Sequence, residues 1–294
     1  MSFSQTVKEE AVKHTLQNKK SNISELTAII NNIGKVSTNE ENIEIRIVTE
    51  NALICRRFYE LVTTLYDESL EINIEKSRKN NKKNLYIAIV NDKRIVCDII
   101  SKLIDMEKSV TDSRAYLRGS FLSVGYITNP EKEYHLEFVN GDIKNAKLIQ
   151  EMLQTYDINS KIIIRKNDYI VYIKESEQIV LLLNVIHAHN SLLKMEDIRI
   201  KKEMINNVNR VVNCETANLQ KTVSAAIKQI NDIKKIITKH QFSNLNDGLK
   251  EVAEARLNNA EASLIELAEM LGISKSCINH RLRRISEIAE RLSC

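Results

Sequence analysis

The sequence predicts an α+β protein with two copies of an αββαββα unit, then a helical connector and a small all-α domain. Three observations support this prediction. In the first two-thirds of the chain, segments with strand periodicity alternate with segments of helical periodicity. The same order of helices and strands occurs twice there, and a repeated order is stronger evidence for a fold than any single segment. The remaining third has helical periodicity alone, apart from one polar stretch.

The composition is typical of a globular protein rather than of a membrane or disulfide-rich one. Of the 294 residues, 43% are hydrophobic and 28% charged, and no apolar run reaches the roughly 20 residues of a membrane-spanning helix. The start, MSFSQTVKEEAVKH, lacks the apolar stretch of a signal peptide. The five cysteines include no C-x-x-C pair, which argues against a disulfide framework and a zinc site. We therefore expect a cytoplasmic protein with no metal, no cofactor and no membrane partner.

We divide the chain into five parts. These are an N-terminal helix at 1–20, a first repeat at 21–108, a second repeat at 109–191, a helical connector at 192–243 and a terminal domain at 244–294. The polar stretch HQFSNLND separates the connector from the terminal domain, because loop-forming residues cluster there.

The elements of the first repeat follow from the period of the apolar residues. After an initial helix, strands are predicted at 34–39, 42–48, 70–77 and 84–90, and helices at 51–66 and 92–106. A polar turn at Asn39 to Asn42 joins the first two strands, and the sequence RKNNKK joins the last two.

The second repeat has the same order. Its helices are predicted at 113–125, 142–157 and 176–186, and its strands at 126–128, 133–139, 160–166 and 168–174. Beyond it, a purely helical and more basic pattern runs from about Leu192 to Lys239.

Each repeat contains a glycine-ended helix: LTAIINNIG at 26–34 and LRGSFLSVG at 117–125, 117 − 26 = 91 residues apart. A glycine after one amphipathic helix is typically a C-cap. Two copies, each leading into the same order of elements, indicate a shared structural role. The small residues at the third position, Ala28 and Gly119, would let the two helices pack backbone against backbone.

These two helices resemble the motif of the LAGLIDADG homing endonuclease family in its single-chain, two-repeat form. In that family an acid before each glycine holds the divalent metal for phosphodiester cleavage. This position falls on Ile33 and Val124, and an earlier acidic position falls on Asn31 and Leu122. An aliphatic side chain can neither bind a metal nor transfer a proton. The resemblance therefore implies a LAGLIDADG-like domain with no catalytic residue, and an active nuclease is the least favoured hypothesis.

A basic turn in the first repeat is a second candidate contact with nucleic acid. Its positive residues are Lys76, Arg78, Lys79, Lys82 and Lys83. By the resemblance, this hairpin lies where the nucleases place a β-ribbon along DNA, and five positive charges without an acid suit phosphate contact. A solvated β-turn explains the same composition, and the sequence does not choose between the two.

The stretch SLIELAEMLGISKSCINHRLRRI predicts a helix-turn-helix. Ser263 and Glu266 form a capping box at its start. Ala268 is small where the second helix must approach, Gly272 allows the turn, and Ile278 faces the inner side. Leu267, Leu271 and Ile273 complete the predicted core, and Ser274 caps the second helix.

The second helix of this motif is the predicted DNA-reading element. Between Gly272 and Ile285 it carries four Lys or Arg and no acid, as phosphate neutralisation requires. Polar side chains near its N-terminus could reach base edges, and Asn279 could pair with adenine. The candidate DNA-binding residues are Ser274, Lys275, Ser276, Asn279, His280, Arg281, Arg283 and Arg284. An ordinary helical hairpin with a basic face is the competing interpretation.

Two features between the domains are less decisive. Asn209, Arg210, Asn213 and Asn218 recur on one stretch of the connector, either as a polar contact surface or as a solvated face. His187 and His189 are spaced i, i+2, and on a helix two such side chains point apart, which argues against a metal site.

The whole chain resembles the WhiA regulators of Gram-positive bacteria. Three stretches carry the match: RAYLRGSFLSVGYITNPEKEYHLEF, NRVVNCETANLQKTVSAA and LKEVAEARLNNAEASLIELAEMLGISKSCINHRLRRI. One departure is Asn246-Asp247-Gly248, where the family usually has a proline at the start of the first terminal-domain helix. A glycine there loosens a helix by about 1 kcal/mol.

The resemblance implies a non-enzymatic, nucleoid-associated protein that binds double-stranded DNA through its C-terminal domain. It would act in transcription control, in cell division and chromosome segregation, and in sporulation in some lineages. Another transcription factor or RNA polymerase is the partner protein it would suggest. The alternative hypothesis is an adaptor or ligand sensor, in which the inactive nuclease-like domain binds a protein or a small molecule.

Overall fold

The structure, a computed structural model, describes residues 2–13, 18–38, 43–76, 84–105 and 110–292. The chain divides into two compact units, Met1–Lys202 and Glu203–Cys294. The first unit is mixed α+β and the second is helical, so the predicted α+β class is confirmed. Among the described residues, no helix is both long and apolar enough to span a bilayer.

The first unit begins with a short helix and one four-stranded antiparallel sheet. Its helices are α1 (Phe3–Val12), α2 (Lys19–Ile33), α3 (Ala52–Tyr66) and α4 (Lys93–Ile104). The strands are β1 (Gly34–Thr38), β2 (Ile43–Thr49), β3 (Glu71–Lys76) and β4 (Asn84–Val90), in the spatial order β1-β2-β4-β3. The predicted turn at Asn39 to Asn42 lies outside the described residues.

The second half of this unit repeats the design. Its helices are α5 (Ser113–Val124), α6 (Ile143–Gln154) and α7 (Ser176–Val185), and its strands are β5 (Gly125–Ile127), β6 (Leu136–Asn140), β7 (Lys161–Arg165) and β8 (Asp168–Ile173). The spatial order β5-β6-β8-β7 matches that of the first sheet, and all pairs are again antiparallel. The predicted internal repeat is confirmed.

One strand starts later than its sequence predicts. The pattern predicts a strand at 133–139, whereas β6 begins at Leu136. The chain first makes a turn in which the Asn129 carbonyl accepts the amide of Lys132 at 2.9 Å and the Asn129 side chain accepts the amide of Glu131 at 3.1 Å. Because Pro130 follows an asparagine, this turn chemistry outweighs the alternating pattern.

The helix boundaries follow from their caps and the packing from their apolar faces. Asn51, Asp92, Asp112 and Asp142 each accept a backbone amide at the start of α3, α4, α5 and α6. Within each repeat, the helices cover one face of the sheet and bury an apolar core. Phe58 is fully enclosed in the core of the first repeat, and other large apolar side chains are fully enclosed in the core of the second. A large apolar side chain buried in this way contributes roughly 1.5–3 kcal/mol.

Helices α2 and α5 pack together backbone against backbone, as their small residues predict. A Cβ at Gly119 would lie 2.6 Å from the carbonyl oxygen of Glu25 and 3.0 Å from the Cβ of Ala28. Only a glycine therefore permits this approach.

The glycines that end these helices are not left-handed C-caps. Gly34 has φ −76° and Gly125 has φ −79°, so the chain passes directly into an extended strand. A Cβ at either position would lie 2.6 Å from the carbonyl oxygen of Ile30 or Phe121, respectively. Both glycines are C-caps, as the pattern predicts, but in an extended conformation, and a larger residue at either position would lack space.

A buried ionic cluster joins α2 to the helices on both sides of it. The Glu25 carboxylate accepts hydrogen bonds from Arg57 at 2.7 and 3.0 Å and from Arg118 at 3.0 and 2.6 Å. All three side chains are at most 4% exposed. Because Arg57 lies on α3 and Arg118 on α5, one carboxylate connects the two repeats.

Helix α8 (His189–Thr238) follows the second repeat. Its start is held by Glu10, whose carboxylate accepts the amides of Asn190 at 2.5 Å and Ser191 at 2.9 Å. An acid is favourable there because the first amides of a helix carry partial positive charge. His187 lies in the preceding turn with φ 63°, and its ring centroid is 5.7 Å from that of His189. The sequence predicts that the two rings point apart, whereas in the structure they lie close together.

The second unit packs three short helices on the last turns of α8. A 3₁₀ turn (Phe242–Asn244) leads to α9 (Asp247–Asn258), α10 (Leu264–Leu271) and α11 (Lys275–Arg291). Ile233 and Ile236 of α8 are fully buried in this core together with Leu282 and Ile285 of α11. The end of α8 is thus part of the terminal domain's core.

Candidate nucleic-acid interface

The turn between α10 and α11 has the geometry of a helix-turn-helix. The Ser263 amide donates to Glu266 at 2.7 Å and the Glu266 amide donates to the Ser263 hydroxyl at 3.3 Å, which completes the capping box. Gly272 is left-handed with φ 65°. Ala268 is buried at the approach of α11, and Ile278 is fully enclosed. Each of these features agrees with the sequence prediction.

Helix α11 presents most of the predicted DNA-binding residues on one exposed face. Its N-cap is Ser274, whose hydroxyl accepts the Cys277 amide at 3.2 Å and lies 3.0 Å from the Ser276 hydroxyl. The exposed members of the predicted set are Ser274, Lys275, Ser276, Asn279, His280, Arg283 and Arg284. A polar, basic face beside a buried apolar one is the arrangement of a helix that enters a groove.

Arg281 differs from the other candidates. Its guanidinium donates to the Gly248 carbonyl at 3.1 Å and lies 3.5 Å from a carboxylate oxygen of Glu251, both on α9. A Cβ at Gly248 would be 3.0 Å from the Arg281 Cζ, so the glycine at the start of α9 leaves room for this guanidinium. The structure thus gives Arg281 a contact within the domain.

The sequence argument missed an acid at the end of the basic face. Glu287 accepts a hydrogen bond from Arg284 at 2.9 Å and lies 3.5 Å from the Nε of Arg283. The hydrogen bond from Arg284 holds the pKa of the Glu287 carboxyl below its ordinary value. The i, i+3 and i, i+4 spacing of these residues could have revealed the contact. A phosphate that binds either arginine must compete with this carboxylate.

The basic turn of the first repeat lies outside the described residues. Arg78, Lys79, Lys82 and Lys83 belong to it, and only the backbone of Lys76, the last residue of β3, is described. The predicted phosphate contacts of this turn stay a prediction.

At the ends of α2 and α5, the residues in the nuclease positions are apolar or bonded to one another. Ile33 packs against the core of the first repeat, Val124 packs against the core of the second, and Leu122 is fully buried. The Asn31 amide donates to Tyr116 at 3.1 Å and to Asn145 at 2.9 Å. A divalent metal, which the LAGLIDADG resemblance would suggest, needs carboxylate oxygens and does not fit these residues.

The sequence argument missed the polar network that surrounds these ends. The Asn32 amide lies 3.3 Å from both the Ser120 and the Ser123 hydroxyls, and the Asn145 amide donates to the Asn31 carbonyl at 2.7 Å. Asn145 comes from α6, so only the folded structure brings it to the helix end. Amides and hydroxyls thus pair across the interface between the repeats.

Lys8 lies beside the end of α5. Its ammonium donates to the Leu122 carbonyl at 2.9 Å and lies 5.8 Å from the centroid of the Phe121 ring. Burial lowers the pKa of Lys8 to about 8. An ammonium here satisfies a carbonyl at a helix C-terminus, where positive charge is favourable.

The four connector residues singled out in the sequence are all exposed on α8. Asn209, Arg210 and Asn213 have open side chains, and the Asn218 amide lies 3.7 Å from the Cys214 sulfur. Around them, large apolar side chains such as Met204 and Leu219 are also more than half exposed.

Comparison with protein families extends these observations to the whole chain. The model of the WhiA N-terminal LAGLIDADG-like domain matches residues 19–104, that of the WhiA LAGLIDADG-like domain matches 113–205, and that of the WhiA C-terminal HTH domain matches 208–289. The three matches follow the order of the two repeats and the terminal helices.

Individual relatives match over their full length. The chain is 43% identical to the probable cell division protein WhiA of Clostridium botulinum, over 99% of both chains, and 41% identical to that of a Thermoanaerobacter species, over 99% of this chain and 98% of the relative. Among solved structures, full-length WhiA from Thermotoga maritima is 30% identical, with a TM-score of 0.62 over 99% of both chains. The crystal structure of an N-terminal LAGLIDADG domain of WhiA is 28% identical, with a TM-score of 0.53 over 63% of this chain and 90% of that one. With its paired LAGLIDADG-like repeats and its helix-turn-helix domain, the chain belongs to the WhiA family.

Proposed function

We propose that this protein binds double-stranded DNA through α11 and regulates transcription for cell division and chromosome segregation, and for sporulation in lineages that sporulate. The observation that carries the proposal is the exposed polar and basic face of α11, in a domain that matches the WhiA C-terminal HTH model. Relatives that match over their full length are named as probable cell division proteins. We further propose that it acts in the cytoplasm at the nucleoid.

The roles on α11 divide by position. Ser276, Asn279 and His280 lie near the helix N-terminus, where side chains reach base edges, and Asn279 has the donor and acceptor pair that matches adenine. Lys275, Arg283 and Arg284 are cations that suit phosphate contacts, and Ser274 lies at the cap. Arg281 acts mainly as a structural contact to α9 and supports the face from behind.

The repeat domain serves as a scaffold rather than as a nuclease. The supporting observation is the replacement of both metal-binding positions by Ile33 and Val124. A transcription factor or RNA polymerase is the class of partner that such a domain could hold beside a promoter. The test is incubation of supercoiled and linear DNA with the protein and Mg²⁺ or Mn²⁺: we expect no cleavage, and metal-dependent cleavage abolished by a mutation in this domain would refute the proposal.

Genome-wide occupancy of the intact protein tests DNA binding directly. We expect discrete sites that share a sequence. Arg283→Ala should weaken binding to all of them, whereas Asn279→Ala should relax the preference at one base position while the other positions stay selective. Arg291→Ala is the matched control, because Arg291 is exposed at the far end of the same helix and lies outside the proposed interface.

Two results would contradict the proposal. If the intact protein showed no sequence-dependent occupancy, the helix-turn-helix would not be a DNA reader. If Asn279→Ala left the preference unchanged at each position while Arg291→Ala altered it, the reading face of α11 would be misplaced.

A further inference from the structure

The second unit contains a pocket of about 310 Å³ between α8 and the starts of α10 and α11. Its lining includes three cationic side chains and no acidic one. The cations come from three helices: Lys221 from α8, Arg256 from α9 and Lys275 from α11. Lys221 and Lys275 are exposed, so water screens their charges, whereas the buried Arg256 is the cation that most needs a counter-charge.

Arg256 is the most unusual member of this lining. It is only 2% exposed, and no described carboxylate forms a salt bridge with it. One guanidinium nitrogen donates to the Ala262 carbonyl at 2.6 Å, while its buried Nε has no hydrogen-bond partner among the described residues. Burial lowers the pKa of Arg256. A buried cation without a counter-charge is a costly arrangement that an anion in the pocket would relieve.

Two further polar side chains lie at the pocket. The Thr222 hydroxyl donates to the Asn218 carbonyl at 3.0 Å, and Gln229 has a buried side-chain oxygen without a partner among the described residues. The Gln229 amide can rotate to present its two N–H donors instead. The pocket also meets the starts of α10 and α11, at Ser263 and Lys275. At α10 the Glu266 carboxylate already accepts the Ser263 amide at 2.7 Å, so the partial positive charge open to an anion is that of the α11 amides.

We propose that this pocket binds a phosphate group, and that in the DNA complex the group is a backbone phosphate beside the recognition helix. The second part rests on the proposed DNA-binding function. It follows from Lys275, which both lines the pocket and lies at the start of the exposed face of α11. Through Lys221 and Thr222, the connector helix becomes part of the interface.

Two measurements on the full-length protein test this proposal. The first is the thermal midpoint in inorganic phosphate against chloride at equal ionic strength. The second is the affinity for a target duplex as a function of salt concentration. Lys221→Gln removes one pocket cation at an exposed position, and Lys228→Gln is the matched control, two turns further along α8 and outside the pocket.

We expect phosphate to raise the thermal midpoint of the wild type and of Lys228→Gln by several degrees more than it raises that of Lys221→Gln. General stabilisation by phosphate acts equally on all three, so only the difference reports the pocket. Lys221→Gln should also weaken the binding of all duplexes about 3- to 10-fold. The slope of log affinity against log salt concentration should become shallower by about 1. Arg256→Lys, which keeps the charge but loses the guanidinium donors, should show the same phosphate defect if it folds.

The other outcomes separate the two parts of the proposal. Lys221→Gln could lose the phosphate effect while its DNA affinity and salt dependence stay unchanged. The ligand of the pocket would then be a free phosphorylated small molecule and not a DNA backbone phosphate. If Lys221→Gln matched Lys228→Gln in both measurements, the pocket proposal would be wrong while DNA binding by the wild type stood. If the wild type bound no DNA but kept the pocket-dependent phosphate effect, the proposed function would fail and the anion site would remain.

Discussion

Polar side chains are arranged in opposite ways at two places in this protein, the ends of α2 and α5 and the start of α11. At the paired helix ends, amides and hydroxyls bond to one another, as in the contacts of Asn31 with Tyr116 and Asn145. On α11, Asn279 and Lys275 are exposed, and neither side chain forms a hydrogen bond or salt bridge with another described residue. Most polar groups of the first region thus hold the two repeats together, whereas those of the second face solvent.

This difference shows that the architecture of the repeat domain does not depend on acids at its helix ends. Backbone contact at Gly119 and the ionic cluster at Glu25 hold the two repeats together, and neither depends on an acid at the helix ends. The positions Ile33 and Val124 could therefore become apolar while the interface stayed intact. The exposed polar and basic groups of the second unit are therefore the ones that the tests of function address.

The largest expected effect comes from breaking the ionic cluster of the repeat domain. Glu25→Gln keeps the shape but removes the buried counter-charge that Arg57 and Arg118 share, so the free energy of unfolding should fall by about 3–5 kcal/mol. Glu60→Gln is the control, because Glu60 lies 3.7 Å from Arg57 but is 41% exposed. Glu60→Gln should lower the free energy of unfolding by less than about 1 kcal/mol. Urea unfolding measures both, and similar losses would show that burial of the cluster is unimportant.

A methyl group at the contact of α2 with α5 should have the next largest effect. In Gly119→Ala the new Cβ meets the Glu25 carbonyl oxygen at 2.6 Å, so the helices must separate, at a cost of about 1–3 kcal/mol. Gly141→Ala provides the control, since nothing lies within 4 Å of its Cβ. It should change the stability by no more than about 0.5 kcal/mol. Equal thermal midpoints for the two variants would contradict the close packing.

The pH dependence of stability should reveal Lys8. Its pKa is lowered to about 8 in the folded protein from its ordinary 10.5, so the folded state binds fewer protons than the unfolded state between these values. The free energy of unfolding contributed by Lys8 therefore rises as the pH increases from 8 to 10.5, by about 1–2 kcal/mol after allowance for solvent screening. The difference between wild-type and Lys8→Met unfolding curves isolates it. A difference that stays flat or falls over this range would show that Lys8 is not desolvated.

The smallest effect should come from the acid beside the basic face of α11. Glu287→Gln frees Arg283 and Arg284 for phosphate, so DNA affinity should rise about two- to fivefold at low salt and the gain should fade as salt increases. Fluorescence anisotropy with a target duplex measures this change. Glu290→Gln is the control, because Glu290 pairs with Lys228 instead. An equal gain in both variants would indicate a general charge effect.

Much of the fold could be predicted from the sequence because its signals are local. The capping box of Ser263 and Glu266, the turn at Gly272 and the alternation in β8 each depend on neighbouring residues. The start of β6 differs from the prediction because an Asn–Pro turn overrides the alternating pattern. The resemblance that located Ile33 and Val124 also depends on short contiguous motifs.

Only the tertiary structure decided which residues distant in the sequence contact one another. The sequence determined that two motif helices would pack closely, that no acid stands at their ends, and that α11 would carry a basic face. It could not show that Glu25 joins Arg57 to Arg118, or that Arg281 turns towards Gly248. Nor could it gather Lys221, Arg256 and Lys275 around one pocket. Periodicity shows which face of an element is buried, but the partner across the interface depends on how separate elements pack.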